Sequence, residues 1–261
     1  MENLWENIRL YLEKPFPERH DLGLGRFYQV EDLYKPSDTT ILNVIDKGYG
    51  FKKWLGDSHG YEKAQEYAEF TADRGTRVHL NASELLDGFP IQTDHEENVM
   101  PEFEIKCLLG FIKWHEDYKP EILANEICLY DPTFPTAGTA DIICLMDGKP
   151  WKQKGNVLAL LDIKTGKDWP IHQLQLTGYG LKFEGLFEEK PYLATLGLYE
   201  YRKDIKYRLK TYDYDEGAFV NAYNLWCWQN NWTEEKEMVI PEELPKILTL
   251  DMLEEKEDGK L

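Results

Sequence analysis

Gly138-Thr139-Ala140-Asp141-Ile142-Ile143, then Leu160-Leu161-Asp162-Ile163-Lys164-Thr165-Gly166-Lys167, then Gln173-Leu174-Gln175-Leu176-Thr177-Gly178-Tyr179-Gly180 form the stretch on which the fold turns. The first two are short apolar runs that read as strands, and the third carries a helical pattern that follows at once. Each strand presents one acid. Asp162 and Lys164 are two apart on a strand and so project to the same face. An isolated Asp-x-Lys is an ion pair on a solvated strand. Asp141 within an apolar run needs a partner, and taken alone an edge position or a buried salt bridge would supply it. Two acids and a lysine at adjoining strand ends also suit a divalent metal and a phosphate.

Working outward, Glu126-Ile127-Cys128-Leu129-Tyr130 reads as a further strand one hairpin upstream, and Glu126 is a candidate partner for the first acid or a strand-end surface carboxylate. Downstream, strands are expected at about 192–199 and 206–212 and a helix at 216–228. The N-terminal half is mostly helical in pattern. An amphipathic start (Leu4, Trp5, Ile8, Leu12) is broken by Pro15 and Pro17, and Arg26 to Val30 reads as a strand. Ser37 is placed as a helix N-cap before Asp38 to Leu42. Phe51, Trp54 and Leu55 suggest an apolar turn. The spacing predicts a long helix over 61–86, which contains Arg74-Gly75-Thr76-Arg77-Val78-His79. Gly75, costing about 1 kcal/mol relative to alanine in mid-helix, implies close packing or a close-approaching ligand. His79 lies one turn further along the same side. A second helix opens near Pro101.

At 261 residues the chain can build one large core, and the economical division is one α/β domain over 1–231 with a tail over 232–261. Residues 1–120 are its mostly helical part and 121–231 its sheet. The net charge is −18, and the tail holds ten acidic and four basic residues, a net −6, so a third of the excess is local to it. Such acidity argues against non-specific attraction of nucleic acid by a global field and leaves room for a local basic groove. No apolar run is long enough for a membrane span and the start lacks the regions of a signal peptide, so a cytoplasmic location without membrane contact is expected. Cys107, Cys128, Cys144 and Cys227 are scattered without CxxC spacing and read as ordinary thiols, so neither zinc nor an iron–sulfur cluster is expected.

Taken together, these motifs resemble the PD-(D/E)XK nuclease superfamily, and most closely its RecB-type branch, which includes the mitochondrial genome maintenance exonucleases. The resemblance covers most of the chain to about Tyr212. Tyr28, Pro36 to Leu42 and Lys53-Trp54-Leu55 look like that branch's N-terminal segment, and Arg74 to His79 is similar to its histidine motif. Gly138-Thr139-Ala140-Asp141 matches the first acidic motif, Asp162-Ile163-Lys164-Thr165-Gly166 the second, and Gln175 to Tyr179 the QxxxY motif. Ala140 stands where the superfamily's name motif has proline, and His172 occupies a position often held by tyrosine. The branch members that hold an iron–sulfur cluster have clustered cysteines, which this chain lacks.

The resemblance implies a restriction-endonuclease-like core, a mixed central β-sheet flanked by helices with a helical N-terminal half. It implies a metal-dependent DNA nuclease, an exonuclease in the favoured reading, that leaves 5′-phosphate and 3′-hydroxyl ends. His79, Asp141, Asp162 and the Ile163 carbonyl would hold Mg²⁺ or Mn²⁺. Lys164 and Gln175 would be catalytic, the lysine orienting or deprotonating the attacking water or stabilising charge on the phosphate, and the glutamine positioning it. Arg74, Arg77, Lys167 and Tyr179 are candidate contacts to DNA, single-stranded DNA included. Recombination or replication proteins, of phages among other sources, would be the partners. The rival reading is a non-hydrolytic nucleic-acid-binding or structural module that keeps the fold.

Overall fold

The computed structural model describes residues 2–30, 33–46, 48, 53, 57, 61–95, 98–130, 134–198 and 206–233. Phe51, Trp54 and Leu55 fall outside them, as do residues 234–261. The central feature is a five-stranded sheet of β6 (Glu121–Tyr130), β7 (Ala137–Asp147), β8 (Asn156–Lys164), β9 (Tyr192–Gly197) and β10 (Arg208–Tyr212), ordered β10-β9-β8-β7-β6. Only the β8–β9 pair is parallel. A parallel neighbour needs a crossover, which here is α5 (Ile171–Phe187). The mixed sheet flanked by helices has the arrangement expected of a restriction-endonuclease-like core.

The preceding elements are α1 (Glu2–Leu12), β1 (Glu18–Leu22), β2 (Gly25–Val30), β3 (Leu33–Pro36), α2 (Asp38–Leu42), α3 (Tyr61–Leu86), β4 (Asp94–His95), β5 (Asn98–Val99) and α4 (Glu102–Tyr118), with α6 (Glu216–Asn230) after the sheet. β1, β2 and β3 form a small antiparallel sheet of which only β2 was legible in the pattern; polar β1 and short β3 carry no alternating signal. Ser37 caps α2, its hydroxyl accepting from Thr40 N–H at 3.0 Å.

Both faces of the large sheet are covered, which is why its central strands read as continuous apolar runs rather than alternating ones. One face packs Leu160 and Leu193 with Leu176, Tyr179 and Phe183 of α5 and Leu4 and Ile8 of α1. The other packs Leu161, Ile163 and Leu196 with Val78 and Ala82 of α3 and Phe111 and Trp114 of α4. A third cluster joins Phe27, Ile41 and Leu42 to Phe219 and Trp226 of α6. The cysteines fall on helices (Cys107, Cys227) and strands (Cys128, Cys144). Among the described residues no helix is long and apolar enough to cross a membrane.

Candidate active site

The site forms where the β6–β7 pair departs from regular alternation. On β6, Asn125 and Ile127 would share a face in a flat strand. Instead the Asn125 amide donates to Ser83 Oγ at 3.0 Å and Asp87 Oδ1 at 3.1 Å on the α3 side, whereas Ile127 packs in the α5 cluster. Their partners on β7, Ile142 and Ala140, divide between the two faces in the same way. Glu126, between them, has φ +47°. The other described non-glycine residues with positive φ are Lys119, Lys152, Glu188 and Asn231, each the C-cap of a helix. A left-handed L-residue inside a strand costs about 1–2 kcal/mol, and such strain gathers at functional positions. Here it coincides with a switch in the face taken by alternate side chains, at the level of Glu126 and Asp141.

The switch brings those two carboxylates to α3. His79 Nδ1 lies 3.3 Å from Asp141 Oδ2, and one ligand atom each of His79, Glu126 and Asp141 fall within 4.8 Å of one another. Burial works against the imidazolium of His79, but the charge and hydrogen bond of Asp141 outweigh it and raise the group to about 9. Burial also opposes the charge on Asp141, yet His79, Lys164 and a 2.6 Å hydrogen bond from Ile163 N–H hold it below the usual carboxylate range. Glu126 is pushed up to about 7 by burial and then by the charge of Asp141. One imidazole and two carboxyl groups this close together form a donor set that a cation would satisfy.

Asp162 stands outside that threesome and forms an ion pair with Lys164 two residues on, as same-face alternation requires. Its Oδ2 is the oxygen that faces the ammonium. Burial, with the charge of Asp141 adding and Lys164 opposing, lifts Asp162 to about 6. Lys164 also donates to Gln175 Oε1 at 3.2 Å, and the Gln175 amide donates to Tyr179 OH at 2.8 Å. Ile163 enters the site through its N–H, on Asp141, while its side chain is buried toward α3 and α4.

The expected nucleic-acid contacts part company. Arg77 is held by Glu104 of α4, Nη2 to Oε1 at 2.6 Å, so its guanidinium clamps two helices. Tyr179 is 4% exposed, and its hydroxyl accepts from the Gln175 amide. Arg74 lies over the ring of Phe103 at 3.6 Å, its Nε buried without a hydrogen-bond partner among the described residues. Lys167 sits over the exposed ring of Trp169.

Behind the site lies a buried pair the sequence pattern did not reveal. Lys182 of α5 and Asp38 of α2 are fully buried, with Nζ 2.7 Å from both carboxylate oxygens and 3.2 Å from Thr136 Oγ1. Gly138 and Gly178 make room for it: a Cβ at Gly178 would fall 2.7 Å from Asp38 Oδ2, and one at Gly138 3.2 Å from the same oxygen. The glycines of the two motifs are therefore explained by close approach. A lysine within the apolar sequence Leu181-Lys182-Phe183 was the available signal.

No protein-family model and no curated protein matches the chain. Among solved structures it is similar to an alkaline exonuclease, LHK-Exo, from Laribacter hongkongensis, with TM-score 0.39 and 10% identity over 76% of this chain and 88% of that one. It is also similar to SSO0001, with TM-score 0.38 and 13% identity over 87% of this chain and 84% of that one. Likenesses this distant carry none of the functional reading, which rests on the geometry.

Proposed function

We propose that the chain is a metal-dependent DNA nuclease of the PD-(D/E)XK superfamily, acting as an exonuclease and leaving 5′-phosphate and 3′-hydroxyl ends. The observation that carries the reading is the convergence of His79, Glu126 and Asp141 beside the ordered chain Asp162–Lys164–Gln175–Tyr179.

The donor set fits a divalent cation. Carboxylate oxygens suit Mg²⁺, and the imidazole admits Mn²⁺. His79, Glu126 and Asp141 would hold the ion, with the Asp162–Lys164 pair beside them. Such an ion supplies polarisation of a phosphodiester and a bound water of lowered pKa. The Ile163 N–H holds one oxygen of Asp141 in place, so the carboxylate need not reorganise. His79 would bind the ion as the neutral imidazole. Gln175, itself held by Tyr179, fixes the direction of the Lys164 ammonium. A pre-aimed cation at this position stabilises the charge that grows on the phosphoryl oxygens, or orients the attacking water, without rearrangement during the reaction.

The test is hydrolysis of end-labelled single- and double-stranded DNA with Mg²⁺ or Mn²⁺, comparing wild type with Lys164→Ala and Asp141→Ala. Product ladders that shorten from one end and vanish in both variants are expected. Equal background signal in all three proteins would overturn the catalytic assignment.

A further inference from the structure

The connection from β8 to α5, residues 165–170, leaves directly from Lys164 and is tied down at its middle. Asp168 accepts from Tyr212 OH at 2.5 Å, pairs with Lys210 on β10, and lies 3.2 Å from His172 Nδ1 at the start of α5. Charge-assisted bonds of this kind to two separate elements make the loop a fixed ledge. On either side of the anchored residue, Lys167 and Trp169 turn outward. Trp169 is 36% exposed and, among the described residues, belongs to no apolar cluster; Lys167 Nζ lies 4.8 Å from its ring centroid. The ammonium has no carboxylate partner among the described residues, unlike Lys164, Lys182, Lys190 and Lys210.

α3 closes on the same ledge. A Cβ at Gly75 would fall 3.3 Å from Thr165 Oγ1, so the helix backbone nearly touches the loop's first residue. Across that seam α3 presents Arg74, with the exposed ring of Phe70 5.8 Å from its guanidinium. Gly166, between seam and ledge, has open space where a side chain would be. Trp169 follows Lys164 by five residues, so it lies within about 18 Å of it. At about 3.4 Å of rise per nucleotide of one strand, that span is a few nucleotides.

We propose that Trp169, with Lys167 beside it, is a nucleobase-stacking site for the DNA strand whose phosphate sits at Lys164. An aromatic ring with a flexible cation over it matches a base with its phosphate once the Lys167 ammonium swings from the ring to the phosphate, and it can take only a base whose face is free, as in a single strand. The assignment deepens the nuclease reading and rests on it for the direction in which the strand runs, but its test needs no hydrolysis.

Binding is measured by fluorescence anisotropy in Ca²⁺ with a labelled oligothymidylate, a blunt duplex and an oligouridylate, using wild type, Trp169→Ala, Trp169→Phe, Lys167→Gln and, as a control on an exposed ring elsewhere, Trp228→Ala. Trp169→Ala is expected to weaken oligothymidylate binding by roughly five- to a hundredfold, the range for loss of one base–aromatic stack, with duplex binding little changed. Trp169→Phe should recover most of it and Trp228→Ala should match wild type. Lys167→Gln should lower the slope of log affinity against log salt by about 0.7, one single-strand phosphate contact. Unchanged oligothymidylate binding in Trp169→Ala, or an equal loss on duplex, overturns the proposal, as does an oligouridylate bound as tightly and with the same dependence on Trp169. A wild type that binds through Trp169 and cleaves nothing leaves the stacking site standing and removes the nuclease reading; cleavage indifferent to Trp169 does the reverse.

Discussion

Replacing Glu126 by Gln should move stability and metal affinity in opposite directions, because the position is arranged for a ligand and not for the apo fold. The substitution keeps the left-handed backbone and the side-chain shape and removes only the charge. Burial, then Asp141, raises the Glu126 carboxyl from the ordinary 4.5 to about 7. A carboxyl whose folded value lies above its unfolded one keeps its proton longer in the folded state. Its cost to stability is therefore absent below about pH 4.5, grows through the interval and is complete above about pH 7. At 1.36 kcal/mol per pH unit the ceiling is about 3 kcal/mol. Urea unfolding in EDTA near pH 8 should show Glu126→Gln more stable than wild type by up to about 3 kcal/mol, and the difference should close near pH 4.5. Calorimetric titration with Mn²⁺ should show the variant roughly tenfold or more weaker, at least what loss of a supporting group costs a metal site. A variant that binds Mn²⁺ like wild type and unfolds at the same urea concentration near pH 8 would refute the assignment of Glu126 to the metal.

Three further outcomes follow from the same geometry. Because Asp141 keeps His79 protonated up to about 9, Mn²⁺ binding near pH 7.5 should release about one proton from that imidazole; calorimetry in buffers of different ionisation enthalpy measures the number, and His79→Gln should reduce it. Lys182→Met should destabilise the protein by about 3–5 kcal/mol in urea unfolding, since Asp38 is left buried without its counter-charge. The double variant Asp38→Asn/Lys182→Met should recover a large part of that loss, and a double variant no better than the single one would refute the pairing argument. Gly178→Ala places a methyl 2.5 Å from Phe219 Cε2 and 2.7 Å from Asp38 Oδ2, so a loss of about 1–3 kcal/mol is expected; thermal unfolding matching wild type would show that α5 can shift away freely.

Much of the fold was legible because it depends on near neighbours. The long helix at Tyr61–Leu86 and the N-cap at Ser37 follow from periodicity and capping chemistry within a few residues. The Asp162–Lys164 pair follows from alternation on one strand, whereas the Lys164–Gln175 contact was implied only by the nuclease resemblance and the bond from Gln175 to Tyr179 was not foreseen. β1 and β3 escaped because a polar or very short strand leaves no hydrophobic pattern. Glu126 was visible only as a candidate partner, and its weight comes from a backbone angle that no residue type announces for glutamate.

The 138–180 segment thus contained its own logic: two strands, an acid on each, a lysine on the same face as the second acid, and a helix directly after. These are consequences of chain geometry over a few residues, and the sequence determined them alone. Which carboxylate meets His79 was decided by tertiary structure, since it depends on β6–β7 register and on the switch of face at Glu126, set by packing on both faces of the sheet. The same holds for the cations. Arg77 and Lys167 are alike in sequence as surface charges, but α4 supplies Glu104 to neutralise the first and, among the described residues, nothing comparable reaches the second. A charge is free to meet a ligand only when no other part of the chain arrives to pair with it, and that is a property of the folded molecule.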